Sequence, residues 1–128
     1  SKTMRRIIRK SLNELQFENI TEAADGEEAW DILQGDGTCH IIVSDWFMPR
    51  MKGIDLLKKV RGNGTLGNTP FLMVTAEARK ENLVEAVKEG VSGYITKPFT
   101  LDEMRDKLAK IMAKATFADF LQDQPPVL

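Results

Sequence analysis

Apolar residues along this chain switch repeatedly between two spacings, and the switching predicts helices and strands in turn. Met4, Ile7, Ile8, Leu12 and Leu15 recur at helical spacing, so residues ~3–15 read as an amphipathic helix. Asn19 to Ala23 read as a short strand. Asp25-Gly26-Glu27-Glu28 places one acid at a capping position and another three residues on, which marks a helix start. Ala29, Trp30, Ile32 and Leu33 give that helix its apolar side. Ile41 to Ser44 is a short β-branched run of the kind found in strands buried on both faces, and Phe71 to Val74 and Ser92 to Thr96 read as two further strands. Ile54, Leu57 and Val60 mark a helix between the first two runs. Residues ~78–89 form another, with Leu83, Ala86 and Val87 inward and Gly90 as its cap. Thr100-Leu101-Asp102-Glu103 is a capping box that opens a last helix, with Leu101, Met104, Leu108, Ile111 and Met112 on one face. Phe117, Phe120 and Leu121 extend it, and Gln124-Pro125-Pro126 ends regular structure.

The order is α-β-α-β-α-β-α-β-α, separated by turn-rich stretches such as Met48–Gly53 and Gly62–Pro70. Strands alternating with helices predict an α/β fold, a doubly wound parallel sheet with helices on both faces and right-handed crossovers. A length of 128 residues suits one domain with a substantial core. We divide it into a domain over residues 1–115 and a C-terminal tail over 116–128.

Charge changes this picture little. Lys plus Arg number 18 and Asp plus Glu 19, a balance that asks for neither nucleic acid nor a membrane surface as partner. Arg5, Arg6, Arg9 and Lys10 read as the solvated face of the first helix. The single Cys39 allows no internal disulfide, suits a reducing compartment and reads as a small half-buried residue. No apolar stretch approaches the ~20 residues that span a bilayer, and no leader is evident. A cytoplasmic location is the expectation.

The candidate chemistry lies where apolar runs end. Asp45 follows Ile41-Ile42-Val43-Ser44, Thr75 follows Phe71-Leu72-Met73-Val74, and Lys97 follows Tyr94-Ile95-Thr96. In neighbouring parallel strands these three residues line one edge of the sheet, where open α/β sheets build their sites. A carboxylate there can act as a nucleophile toward phosphorus. A lysine and a hydroxyl can then hold the phosphoryl oxygens. Taken singly, an Asp, a Thr or a Lys-Pro at a strand end marks a turn, a structural hydroxyl or an exposed exit; their joint placement is the specific signal.

With these residues in place the chain resembles the receiver domains of bacterial two-component response regulators, and among them the chemotaxis (CheY-like) branch. The resemblance rests on Thr3-Met4-Arg5-Arg6-Ile7, Glu22-Ala23-Ala24-Asp25-Gly26, Ser44-Asp45-Trp46-Phe47-Met48-Pro49, Met51-Lys52-Gly53, Met73-Val74-Thr75-Ala76-Glu77-Ala78 and Gly93-Tyr94-Ile95-Thr96-Lys97-Pro98-Phe99, and covers residues ~1–114. It implies a flavodoxin-like fold and a protein that accepts a phosphoryl group rather than an enzyme. Asp45 would be the phosphoacceptor, Lys97 would ion-pair with the phosphoryl group, and Thr75 would hydrogen-bond it, moving inward on activation. Tyr94 would turn from exposed to buried as Thr75 moves, and Trp46 would sit beside the site and report on it. A Mg²⁺ ion would bridge the phosphoryl group to Asp45, to the backbone carbonyl of Phe47 and to an acid pair after the family's first strand. The implied partners are a CheA-type histidine kinase, a flagellar motor switch protein and a phosphatase, docking on the face that carries Tyr94 and the helix at ~78–89.

The chain departs from that pattern at its start. It opens on Ser1-Lys2-Thr3, with no strand and no acid pair ahead of the first helix. In the family that strand lies between those at ~19–23 and ~41–44, so its absence predicts one of two outcomes. The sheet closes up to four strands, or two chains exchange elements and form a homodimer, since unpaired edges recruit partners. The alternative function is a receiver-like interaction module that does not use phosphate, favoured by the missing acids. A phosphatase-like enzyme with an Asp nucleophile is a third reading. It calls for a second acid two residues on, where this chain has Phe47.

Overall fold

The computed structural model describes residues 2–36, 39–76 and 79–123. Five helices and three strands follow one another as α1 (Lys2–Glu14), α2 (Gly26–Asp36), β1 (Ile42–Asp45), α3 (Gly53–Arg61), β2 (Phe71–Thr75), α4 (Lys80–Lys88), β3 (Gly93–Thr96) and α5 (Leu101–Asp123). The strands form one parallel sheet in the order β1-β2-β3. Ile42 stands opposite Phe71, and Thr75 opposite Thr96.

Because strand side chains alternate between faces, the sheet divides two cores. Ile42, Phe71 and Met73 meet Ile54, Leu56, Leu57 and Val60 of α3 and Ala86 of α4, with Ala29, Trp30 and Leu33 of α2 packed against them. Leu72, Val74 and Ile95 face the other way, onto Leu12 of α1 and Met104, Leu108 and Ile111 of α5. Helices on both faces of a parallel sheet are the expected doubly wound arrangement.

The predicted helix signals operate as local bonds. The Asp25 carboxylate accepts from the Glu28 N–H at 2.9 Å, and the Glu28 carboxylate reaches back to the Ala24 N–H at 3.1 Å. Thr100 Oγ1 accepts from the Glu103 N–H at 3.1 Å. At the end of α4, Gly90 has φ +88° and lets the Val91 N–H reach the Ala86 carbonyl, a Schellman closure. The same closure ends α1 through Phe17 N–H to Leu12 O, but there the left-handed position is held by Gln16, at φ 71°. The last helix runs through Phe117, Phe120 and Leu121 to Asp123; Gln124-Pro125-Pro126 lies outside the described residues.

Three expectations need correction. Asn19–Ala23 takes no regular structure. A strand needs a neighbour to pair with, and among the described residues none lies beside it; only Ile20 turns toward the second core. Among the described residues the sheet therefore has three strands rather than four. Val87 is not inward but 65 % exposed, as is much of Val84. The helix seats on its one small buried residue, Ala86, which tilts the larger valines outward.

Candidate functional site

Backbone bonds carry the strand ends one residue past the sheet and set the site's frame. The Trp46 N–H donates to the Val74 carbonyl at 2.8 Å, and the Lys97 N–H donates to the Thr75 carbonyl at 2.8 Å. The residues just after β1 and β3 are thus both tied to the end of the central strand. In that frame Lys97 Nζ lies 2.8 Å from Asp45 Oδ2. The pair spans two outer strands and 52 residues of sequence. Its side chains are 38 % (Asp45) and 22 % (Lys97) exposed, so the charges are partly wet and the carboxylate stays open to a reactant.

The loop after Asp45 is closed at its base. The Gly53 N–H donates to the Trp46 carbonyl at 2.8 Å. A Cβ at Gly53 would overlap the Asp45 carbonyl oxygen and come within 2.8 Å of the Met73 sulfur. Only glycine allows α3 to begin this close to the strand end. At the loop's tip Arg50 takes a left-handed conformation (φ 68°), its guanidinium 3.8 Å from the Asp25 carboxylate and 3.9 Å from that of Glu27. These long, solvated contacts contribute little.

The remaining candidates separate by depth. Thr75 is buried at the end of β2, on the sheet face it shares with Met73 and, by register, with Tyr94 and Thr96. Trp46, next to Asp45 in sequence, is buried in the core between the sheet and α3. The side chain of Phe47 is exposed. Tyr94 is 38 % exposed, with Lys107 Nζ 5.9 Å from its ring centroid.

Two residues with clear structural positions escaped sequence reasoning. Arg61 donates from Nε to Gly90 O (2.9 Å), from Nη1 to Gly67 O (3.2 Å) and Thr69 O (2.6 Å), and from Nη2 to Ser92 Oγ (3.5 Å). Burial pushes its guanidinium below the ordinary arginine range, yet it remains charged at any physiological pH. Lys107 is the other. Neither has a sequence signature, because their partners are backbone carbonyls and an aromatic face.

Magnesium demands a near-octahedral set of oxygen ligands. The residues present do not supply one. Asp45 is engaged with Lys97, and among the described residues no group of three His, Cys, Asp or Glu side chains could hold an ion.

Comparison with known proteins places this geometry. A model of the response regulator receiver domain matches residues 1–109. The chemotaxis protein CheY-3 of Vibrio cholerae is 47 % identical over 112 residues, covering 88 % of this chain and 85 % of that protein. The chemotaxis protein CheY1 of Helicobacter pylori is 41 % identical over 112 residues, 88 % of this chain and 90 % of that protein. Among solved structures, the chemotaxis response regulator CheY4 of Vibrio cholerae superposes with a TM-score of 0.77 at 32 % identity, over 87 % of this chain and 91 % of that one. The strand-end carboxylate with its lysine, the glycine beneath it and these likenesses agree: the chain belongs to the response regulator receiver domain family.

Proposed function

We propose that this chain is a phosphoacceptor in two-component chemotaxis signalling, with Asp45 taking a phosphoryl group from a histidine kinase of the CheA type. The observation that carries the reading is the Lys97 ammonium 2.8 Å from an accessible Asp45 carboxylate at the joint end of the strands. As a carboxylate oxygen of Asp45 bonds to phosphorus, the N–P bond of a phosphohistidine breaks. Its electron pair returns to the imidazole nitrogen, which takes up a proton. Lys97 offsets the anionic charge during approach and afterwards holds a phosphoryl oxygen through a charge-assisted bond. Thr75 is the hydroxyl placed to follow that oxygen, and Tyr94 responds to Thr75.

The domain is an acceptor and a docking module, not an enzyme with a substrate of its own. Its docking face joins Tyr94 to the exposed Val84 and Val87 of α4, an apolar patch suited to a flagellar switch protein and a phosphatase. Among the described residues no helix is long and apolar enough to cross a membrane, and a cytoplasmic site of action fits the reading.

The incomplete set of metal ligands favours a second reading, a receiver-like module that binds partners without phosphate. Intact mass after incubation with acetyl phosphate, with and without Mg²⁺ and beside Asp45→Asn, decides between them. A phosphoryl adduct lost in Asp45→Asn supports the first reading. No adduct under either condition, with partner binding unchanged in Asp45→Asn, selects the second.

A further inference from the structure

The sheet's order makes β3 an outer strand, so the ring of Tyr94 has open space on one flank and the body of the domain on the other. α5 packs on the opposite face of the sheet, against Ile95 and beside Gly93, and borders that edge. Lys107 and Ile111 stand one turn apart on that helix and both approach β3 at Gly93. A Cβ built at Gly93 would sit 3.0 Å from Ile111 Cδ1 and 3.6 Å from Lys107 Cδ. The lysine stem therefore lies along the strand in the space left by a missing side chain, and buried Ile111 anchors the helix turn beside it. The stem ends with Nζ 5.9 Å from the Tyr94 ring centroid, within cation–π range. The Tyr94 ring is thus a partner of this ammonium.

We propose that Lys107 is a positioning residue for Tyr94: its stem, seated over Gly93, carries the ammonium to the ring and holds the phenol in its outward position. The inference deepens the phosphoacceptor reading, because it assigns to α5 a hold on the group expected to respond to Asp45. Three features cooperate. Gly93 leaves the channel, Ile111 fixes the helix, and the ammonium supplies an attraction that an outward ring gains and an inward ring loses. A lysine suits this role because its long stem can lie on apolar surface while the charge remains at the rim. The hold is weak enough to release. A cation–π contact at an exposed site changes the ratio of outward to inward rings by about two- to fivefold, a bias that a phosphoryl group at the strand ends can overcome.

The chain contains one tyrosine, so protein labelled with 3-fluorotyrosine gives a single ¹⁹F resonance from Tyr94. The solvent isotope shift of that resonance between H₂O and D₂O measures how exposed the ring is, without any phosphorylation step. Lys107→Met and Lys107→Gln keep a long stem and remove the charge; Lys107→Arg keeps both. The expected result is a smaller isotope shift in the Met and Gln variants, as about two- to fivefold more rings turn inward, and a wild-type value in the Arg variant. An unchanged shift in both neutral variants overturns the proposal. So does a loss in Lys107→Arg equal to theirs, because the charge would then not be the cause. Phosphoryl uptake at Asp45, read by intact mass on the same samples, is a separate outcome. Its failure in the wild-type protein would sink the phosphoacceptor reading while the isotope shifts still judged Lys107.

Discussion

Replacing Arg61 by Met removes one side chain that binds three segments at the amino-terminal rim of the sheet. Its guanidinium bonds the carbonyls of Gly67 and Thr69 in the loop before β2, the Gly90 carbonyl at the end of α4, and Ser92 Oγ ahead of β3. Ser92 Oγ in turn accepts from the Phe71 N–H at 2.9 Å, so the first residue of the central strand depends on the same cluster. A hydrogen bond to a charged group contributes about 1.5–3 kcal/mol. Arg61 is half-buried, the four bonds share one group, and water can replace part of them. The net loss is therefore about 2–4 kcal/mol rather than the simple sum. Against a total of about 5–15 kcal/mol for a domain this is a large fraction. Urea unfolding followed by far-ultraviolet circular dichroism measures it as a lower midpoint at unchanged slope. Arg61→Lys should recover less than half, because a single ammonium cannot reach acceptors on three segments in the geometry of a planar fork. A loss below about 0.5 kcal/mol in Arg61→Met, the range of an ordinary surface change, would refute the reasoning. Full recovery in Arg61→Lys would do the same.

Gly53→Ala pushes a methyl onto the Asp45 carbonyl oxygen, which is backbone and cannot swing aside. A loss of about 3 kcal/mol or more is expected by thermal melting, at the upper end of overpacking costs. Gln16→Gly relieves a left-handed conformation worth about 1–2 kcal/mol and raises the entropy of the unfolded chain. A net gain of about 0.5–1 kcal/mol should appear in the urea midpoint. Burial raises the pKa of the Cys39 thiol, and a backbone hydrogen bond at Ile41 opposes part of that shift. Because the folded value is the higher one, the thiol's contribution is complete below the unfolded pKa and fades as pH rises through the folded value. Between about pH 7 and about pH 10 the wild-type urea midpoint should therefore fall further than that of Cys39→Ala; equal falls would contradict it.

The periodic signals carried most of the fold. Five helices were readable because each carries an apolar face or a cap, such as Asp25 with Glu28 or Thr100 with Glu103, and these are local properties. Three strands were readable because each is a short run built on β-branched or aromatic residues between turn-rich stretches. Asn19–Ala23 misled for the complementary reason: a strand exists only with a partner, and propensity cannot report whether one is present. Val87 misled because helical spacing locates an apolar stripe without saying how wide a surface will receive it. At the site, Asp45, Thr75 and Lys97 were legible as strand-end residues, and the 2.8 Å Asp45–Lys97 contact joins two of them. Arg61 and Lys107 were not, since a carbonyl or a ring acts as a partner through position and leaves no mark on the neighbouring letters.

Gly53 has a mechanical meaning beyond its lack of a side chain. The peptide that carries Asp45 rests against the first turn of α3, and that helix is fixed by Ile54, Leu56, Leu57 and Val60, all buried. A group added at Asp45 consequently meets an anvil on that side. The strand end at Asp45 cannot shift toward α3 without lifting that helix out of its core. Direction of response is in this sense built into where the chain is unable to yield.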